Sequence, residues 1–221
     1  MSSGKNPIAK TEGIVLDVHG FSRTSLLVDF LTPSGLVVLL AKGAMRPKSA
    51  FLGQIDRHYT CEALYYVSGS VHILREATAL DLREWMRGDW RKTSLADYAA
   101  SWALRLAPYA GPPAANGPAT DIFSFHRRFL DSLQPVDLSR PPGLFQRKRL
   151  NYELSLAGVA GFAPERENFI EKGGYFEFCL STERVLRISP ETLGAIESGG
   201  AEGDVSGALR FVSALLEWHL E

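Results

Sequence analysis

Five short runs of β-type residues crowd into the first eighty positions, and this spacing constrains the fold more than any other feature. Ile14, Leu16 and Val18 alternate, as do Leu26, Val28 and Phe30, the period of a strand with one buried face. Pro33-Ser34-Gly35 supplies turn chemistry before a third run, Leu36 to Leu40. His58 to Tyr66 and Val71 to Arg75 make two more, joined through Ser68-Gly69. One longer connection follows the third run. The count matches a five-stranded OB-type β-barrel; count alone leaves other small barrels open.

From Asp81 onward the period becomes helical. Ser94 and Asp97 read as a capping pair, and Leu95, Tyr98, Ala99, Trp102 and Leu106 recur at helical spacing until Pro108. Gly111 to Pro118 reads as a loop. Asp121 reads as the cap of a second helix carrying Ile122, Phe125, Phe129 and Leu133. A third helix is predicted from Leu144 to Ala157 and a fourth from Leu209 to Leu220, with an irregular piece between them. That piece holds a hairpin, Tyr175–Leu180 with Val185–Ile188, around Ser181-Thr182-Glu183. The expected class is α+β, with a barrel domain over residues 1–80 and a mainly helical domain over 81–221.

The longer connection carries the chemistry. Ala41-Lys42-Gly43-Ala44-Met45-Arg46-Pro47-Lys48-Ser49 puts three cations on a Gly/Pro-stiffened loop directly after a strand. Lys and Arg side chains only donate, Gly43 allows close approach of the main chain, and Pro47 limits collapse, which suits holding phosphate. A solvated basic turn is the competing reading. A barrel that grips a strand needs cations along the phosphates and rings on which bases stack. The candidates are Arg23, Lys42, Arg46, Lys48 and Arg57, with Phe51 as the best-placed ring. Phe21, Tyr59, Tyr65 and Tyr66 are also available, though a strand turns about half of its rings inward. Arg127-Arg128 and Arg147-Lys148-Arg149 lie on predicted helices and read by default as solvated faces.

A net charge of −1 conceals a gradient along the chain. Residues 1–150 hold 19 Lys and Arg against 13 Asp and Glu, whereas residues 151–221 hold 5 against 12. Segregated charge leaves room for one basic face. No apolar run is long enough to cross a bilayer, and Met1–Asn6 lacks the layout of a secretory signal, so the chain is expected to stay in the cytosol. Cys61 and Cys179 both lie in apolar stretches and read as two buried thiols. The five histidines show no pair at metal-ligand spacing, and no serine elbow, Walker loop or dinucleotide loop is present. Glu165 and Glu167 beside Pro164 read as an exposed loop rather than paired catalytic acids. No catalysis and no cofactor are expected.

Glu12-Gly13-Ile14-Val15-Leu16, Leu27 to Gly35, the basic stretch Ala41 to Ser49, and Leu74-Arg75-Glu76-Ala77 together resemble the bacterial recombination mediator RecO family. Beyond residue 80 the likeness rests on helix spacing and the Leu154 to Pro164 segment. The resemblance implies an OB-fold followed by a helical domain, and binding of single- and double-stranded DNA with Lys42, Arg46 and Lys48 foremost. It further implies strand annealing, recombinase loading with RecR and single-stranded-DNA-binding protein, and association with the nucleoid during repair. Some members hold zinc through four cysteines in the segment corresponding to residues 162–185; here Cys179 stands alone, so no zinc is expected. Members usually continue past the last helix with a basic stretch, a contribution this chain is expected to lack. The alternative is a protein-interaction scaffold of the same fold, recruiting partners through Trp85, Trp90 or Trp218.

Overall fold

A computed structural model describes residues 7–110 and 118–220, with the side chains of residues 118–120 left aside. The segment Met1–Asn6 and most of the loop expected at 111–118 lie outside the described residues. Two compact units divide the chain, Met1–Gln134 and Pro135–Glu221. The first takes in two helices as well as the barrel, and so runs well past residue 80.

Strands β1 (Ile8–Gly20), β2 (Leu26–Thr32), β3 (Gly35–Ala41), β4 (Thr60–Tyr66) and β5 (His72–Asp81) close into a barrel in the order β1-β2-β3-β5-β4. All neighbours are antiparallel except β3 and β5, which meet in parallel through Leu39↔His72 and Leu40↔Ile73. Val15, Val28, Phe30, Val37, Leu39, Cys61, Ala63 and Leu74 fill the interior. Ile14 and Leu16 are buried too, but outside that cluster. They lie on the outer face of β1, where helices α1 (Trp90–Leu106) and α2 (Pro118–Leu133) pack. The register shifts between Val15 and Asp17, and Val18 turns back toward the barrel interior. The alternation Ile14, Leu16, Val18 is therefore not one face, because a bulge reverses the side-chain phase.

Helix α1 starts a turn earlier than Ser94. Asp89 caps it, accepting from the Arg91 amide at 3.0 Å, and Asp97 is left to bond His58. Helix α2 begins at Pro118, which places Asp121 in its first turn rather than at the cap.

The second unit contains α3 (Leu144–Val159), a sheet of β6 (Phe169–Lys172), β7 (Tyr175–Cys179) and β8 (Val185–Ile188), then α4 (Pro190–Glu197) and α5 (Val205–Trp218). The expected hairpin is β7 with β8, and β6 adds a third strand to it. Phe169, Phe178 and Phe211 meet with ring centroids 5.1 to 5.5 Å apart and hold this sheet on α5. Helix α4 was read as irregular. Its signal is local: the Ser189 hydroxyl accepts from the Thr192 amide at 3.2 Å, and Pro190 occupies the first turn. Helix α5 starts at Val205 rather than Leu209 because Asp204 caps it, accepting from the Gly207 amide at 3.0 Å.

A buried polar joint ties the barrel to its helices. The Arg83 guanidinium, 3% exposed, donates to the His58 carbonyl at 2.6 Å, the Thr60 hydroxyl at 2.9 Å and Asp131 of α2 at 3.2 Å. His58 and Arg83 both have positive φ, 68° and 42°, a conformation that costs about 1–3 kcal/mol for such residues and persists only where surroundings impose it. His58 Nε2 bonds Asp97 of α1 at 2.9 Å. His126 of α2 is fully buried nearby, and burial pushes its imidazole down to about 3. Burial also holds His58 below its ordinary value, against the raising effect of Asp97.

Replacing Arg83 with Met strands two buried acceptors and releases both strained residues. The expected cost is roughly 2–4 kcal/mol in urea unfolding, and an unchanged midpoint would remove the joint from the account of stability. The two histidines also set a pH dependence. Their ordinary value is 6.5, so below that pH the unfolded chain binds protons that the folded chain refuses. Their contribution is complete above pH 6.5 and declines below it, that of His126 being lost as the pH falls toward 3. Between about pH 6.5 and 5 the unfolding free energy should drop by up to about 1.4 kcal/mol per pH unit through His126. His126→Gln should remove its share of that slope.

Candidate nucleic-acid interface

Because β5 lies between β3 and β4, the connection from Ala41 to Thr60 must pass over the end of β5 and across the barrel mouth. Its apolar side chains plug that mouth: Ala44 belongs to the interior cluster, and Phe51 and Ile55 pack against it. Gln54 fastens the crossing, accepting from the Ala79 amide of β5 at 2.9 Å through its side chain and from the Cys61 thiol at 3.2 Å through its carbonyl. With the apolar residues turned inward, Lys42, Met45, Arg46, Pro47 and Lys48 are exposed.

The basic stretch is a series of tight turns. The Arg46 amide donates to the Gly43 carbonyl at 3.1 Å and the Ser49 amide to the Arg46 carbonyl at 3.0 Å. Gly43 has φ of +72°, which glycine adopts without the Cβ penalty. Arg46 folds back over it: a Cβ at Gly43 would stand 3.5 Å from Arg46 Cδ and Nε.

The β1–β2 loop is bonded onto this stretch. The Met45 amide donates to the Thr24 carbonyl at 3.0 Å and the Gly43 amide to the Ser25 hydroxyl at 3.3 Å. These bonds bring Arg23, which is exposed, to the same end of the barrel as Lys42 and Arg46. Among the described residues, no carboxylate lies within ion-pair distance of Arg23, Lys42, Arg46 or Lys48.

Arg57 differs. Its guanidinium is 3.6 Å from Asp97 and 3.9 Å from Asp17, so two acids already share its charge. Phe51 is half-buried against the barrel interior, with only part of its ring available. Tyr59 and Tyr65 are buried in that interior, and among the rings available in the barrel's sequence Phe21, 59% exposed in the β1–β2 loop, is the most accessible. The side chain that matters here was legible as an available aromatic but not as the exposed one. Tertiary contacts bury Phe51 and spare Phe21.

The remaining basic clusters are partly engaged. Arg127 bonds Glu12 at 2.6 Å and Arg149 bonds the buried Glu153 at 2.9 Å. Glu165 forms a reciprocal cap with Asn168 on a short helical turn, a structural use for one of the two acids. Cys179 is exposed rather than buried, because β7 turns Phe176 and Phe178 inward and position 179 falls on the opposite phase. Among the described residues no group of three or more His, Cys, Asp or Glu could hold a metal ion. With Cys179 its only cysteine, the segment 162–185 lacks the ligands of a four-cysteine zinc site.

Residues 6–83 match the family described as "Recombination protein O N terminal". The barrel is thus similar to the N-terminal domain of recombination protein O. The match ends two residues beyond β5, so it covers the barrel and stops before α1. Over 192 residues, 87% of this chain, the sequence is 27% identical to "DNA repair protein RecO" of Roseiflexus sp. (strain RS-1). The chain spans 62% of that relative's length. Among solved structures, Entamoeba histolytica asparaginyl-tRNA synthetase in complex with asparaginyl-adenylate is similar at 9% identity and a TM-score of 0.31, covering 88% of this chain and 43% of that one. A score that low carries no argument about fold or chemistry. No described helix is long and apolar enough to cross a membrane.

The two thiols of this chain should separate cleanly. Burial pushes the Cys61 thiol up to about 12, and an unionised, enclosed thiol is inert toward alkylation. Iodoacetamide at pH 8 should label Cys179 alone in the folded protein and both cysteines in urea. Mass mapping that found Cys61 labelled first would contradict the packed barrel interior.

Proposed function

We propose that this chain is a noncatalytic DNA-binding mediator of repair and recombination, gripping the phosphate backbone with the crossing over its barrel mouth. The observation that carries this reading is the set of exposed cations, Arg23, Lys42, Arg46 and Lys48, on two hydrogen-bonded loops without an acidic partner among the described residues. Such cations supply affinity without reading sequence. Phe21, and the accessible part of Phe51, offer faces for unpaired bases. Arg57 is a weaker member of the set because Asp17 and Asp97 compete for it. The RecO-type barrel and the RecO relative support a role in strand annealing and in recombinase loading with RecR and single-stranded-DNA-binding protein.

Each phosphate neutralised on a single strand adds about 0.7 to the steepness of log affinity against log salt. The double substitution Lys42→Ala, Arg46→Ala should therefore flatten the slope for a labelled single-stranded oligonucleotide by roughly 1.4. Arg57→Ala should change it less than either. An unaltered slope in the double variant would place the DNA contact elsewhere.

A further inference from the structure

β5 ends at the same barrel mouth that the basic crossing covers, and the chain leaves it through Arg83 and a short helical turn, Glu84–Met86, into α1. This exit carries its own cations and an open ring. Trp90 is 68% exposed, and the Arg91 guanidinium lies 4.7 Å from its ring centre. Arg87, whose side chain is 60% exposed, reaches the Tyr59 hydroxyl and sits 5.7 Å from that ring's centre. A cleft of about 310 Å³ is lined by Arg57, Tyr59, Arg83, Arg87, Thr93 and Asp97. Trp90 precedes Thr93 and Asp97 at helical spacing of three and seven residues, so it stands on the face of α1 that supplies those two residues to the cleft, one turn before them.

We propose that Trp90 is a second base-stacking platform, onto which a single strand held by the basic crossing continues past Arg57, with Arg87 and Arg91 beside its phosphates. The inference rests on the DNA-binding reading above and extends it by naming an unpaired base as the ligand of this turn. Arg91 lies over the indole, which favours a planar base on the ring as a stacked sandwich. The exposed charge favours a polyanion over an apolar protein surface: Arg91 lies over the ring, and Arg57 and Arg87 line the cleft to which the same helix face contributes. A phosphate there must displace Asp56, 3.9 Å from Arg87, and compete with Asp17 and Asp97 for Arg57.

Tryptophan emission of the whole chain, titrated with a thymidine oligonucleotide, tests this directly. The chain has four tryptophans, and Trp102 is buried. Single-stranded oligonucleotide should quench the emission, a blunt duplex of the same length should bind without doing so, and Trp90→Phe should abolish most of the quenching. Trp90→Ala should weaken single-strand binding about tenfold with no change in salt slope, since stacking carries no charge. Trp90→Phe keeps a ring on the helix and serves as the fold control. Quenching that survives Trp90→Phe, or Trp90→Ala binding at wild-type affinity, overturns the platform. A Trp90→Ala protein that keeps its DNA affinity but loses RecR overturns it also, assigning the ring to a protein contact. The two readings fail separately: Lys42→Ala with Arg46→Ala reports on the crossing through slope, whereas Trp90 reports through emission at saturating oligonucleotide.

Discussion

Closure of the barrel rests on a short parallel seam, Leu39↔His72 and Leu40↔Ile73, and the seam decides the path of the basic crossing. Parallel strands cannot be joined by a tight turn, and here the neighbour in space, β5, is not the neighbour in sequence. The chain must therefore leave β3, cross the mouth over the end of β5, and enter β4. That crossing needs apolar residues beneath it to seal the interior, which Ala44, Phe51 and Ile55 supply. Lys42 just before them, and Arg46 and Lys48 between them, are exposed to solvent.

The same end of the barrel holds a buried polar arrangement. A guanidinium as buried as that of Arg83 needs partners; its terminal nitrogens find the His58 carbonyl, the Thr60 hydroxyl and Asp131, while Nε lies 3.8 Å from Asp81. Two residues with positive φ meet in this arrangement. It fastens α2 to the strand ends, while Asp97 fastens α1 through His58. The helices thus belong to the barrel's unit rather than to the following one, which explains why a boundary drawn where the period changes near residue 80 differs from the compact unit ending at Gln134. Periodicity reports the type of an element, and packing reports its membership.

Much of the barrel was legible. All five strands fall where the β-type runs lie, since alternation and turn residues are local properties. The side-chain phase of β1 was not, because the bulge near Leu16 depends on the partner strand. Helix ends were misread where a better cap stood one turn upstream, as Asp89 did for Ser94 and Asp204 for Leu209. Ser189-Pro190 announced α4 by chemistry already present in the sequence, but the piece around it was short. The cations of the crossing are plain in the sequence. Their relative freedom is not, because Asp17 and Asp97 reach Arg57 only after folding.

The sequence by itself determined the strand and helix types, the basic composition of the crossing and its resemblance to RecO, because each depends on residues close together in the chain. Only the tertiary structure decided which cations stay free of acids, which ring stands in solvent and which helices close over the barrel. Those outcomes follow from contacts between residues far apart in sequence, such as Thr24 with Met45, Arg83 with Asp131 and Asp97 with His58. Burial and charge pairing are properties of neighbours in space, and the chain acquires those neighbours only when β5 inserts between β3 and β4.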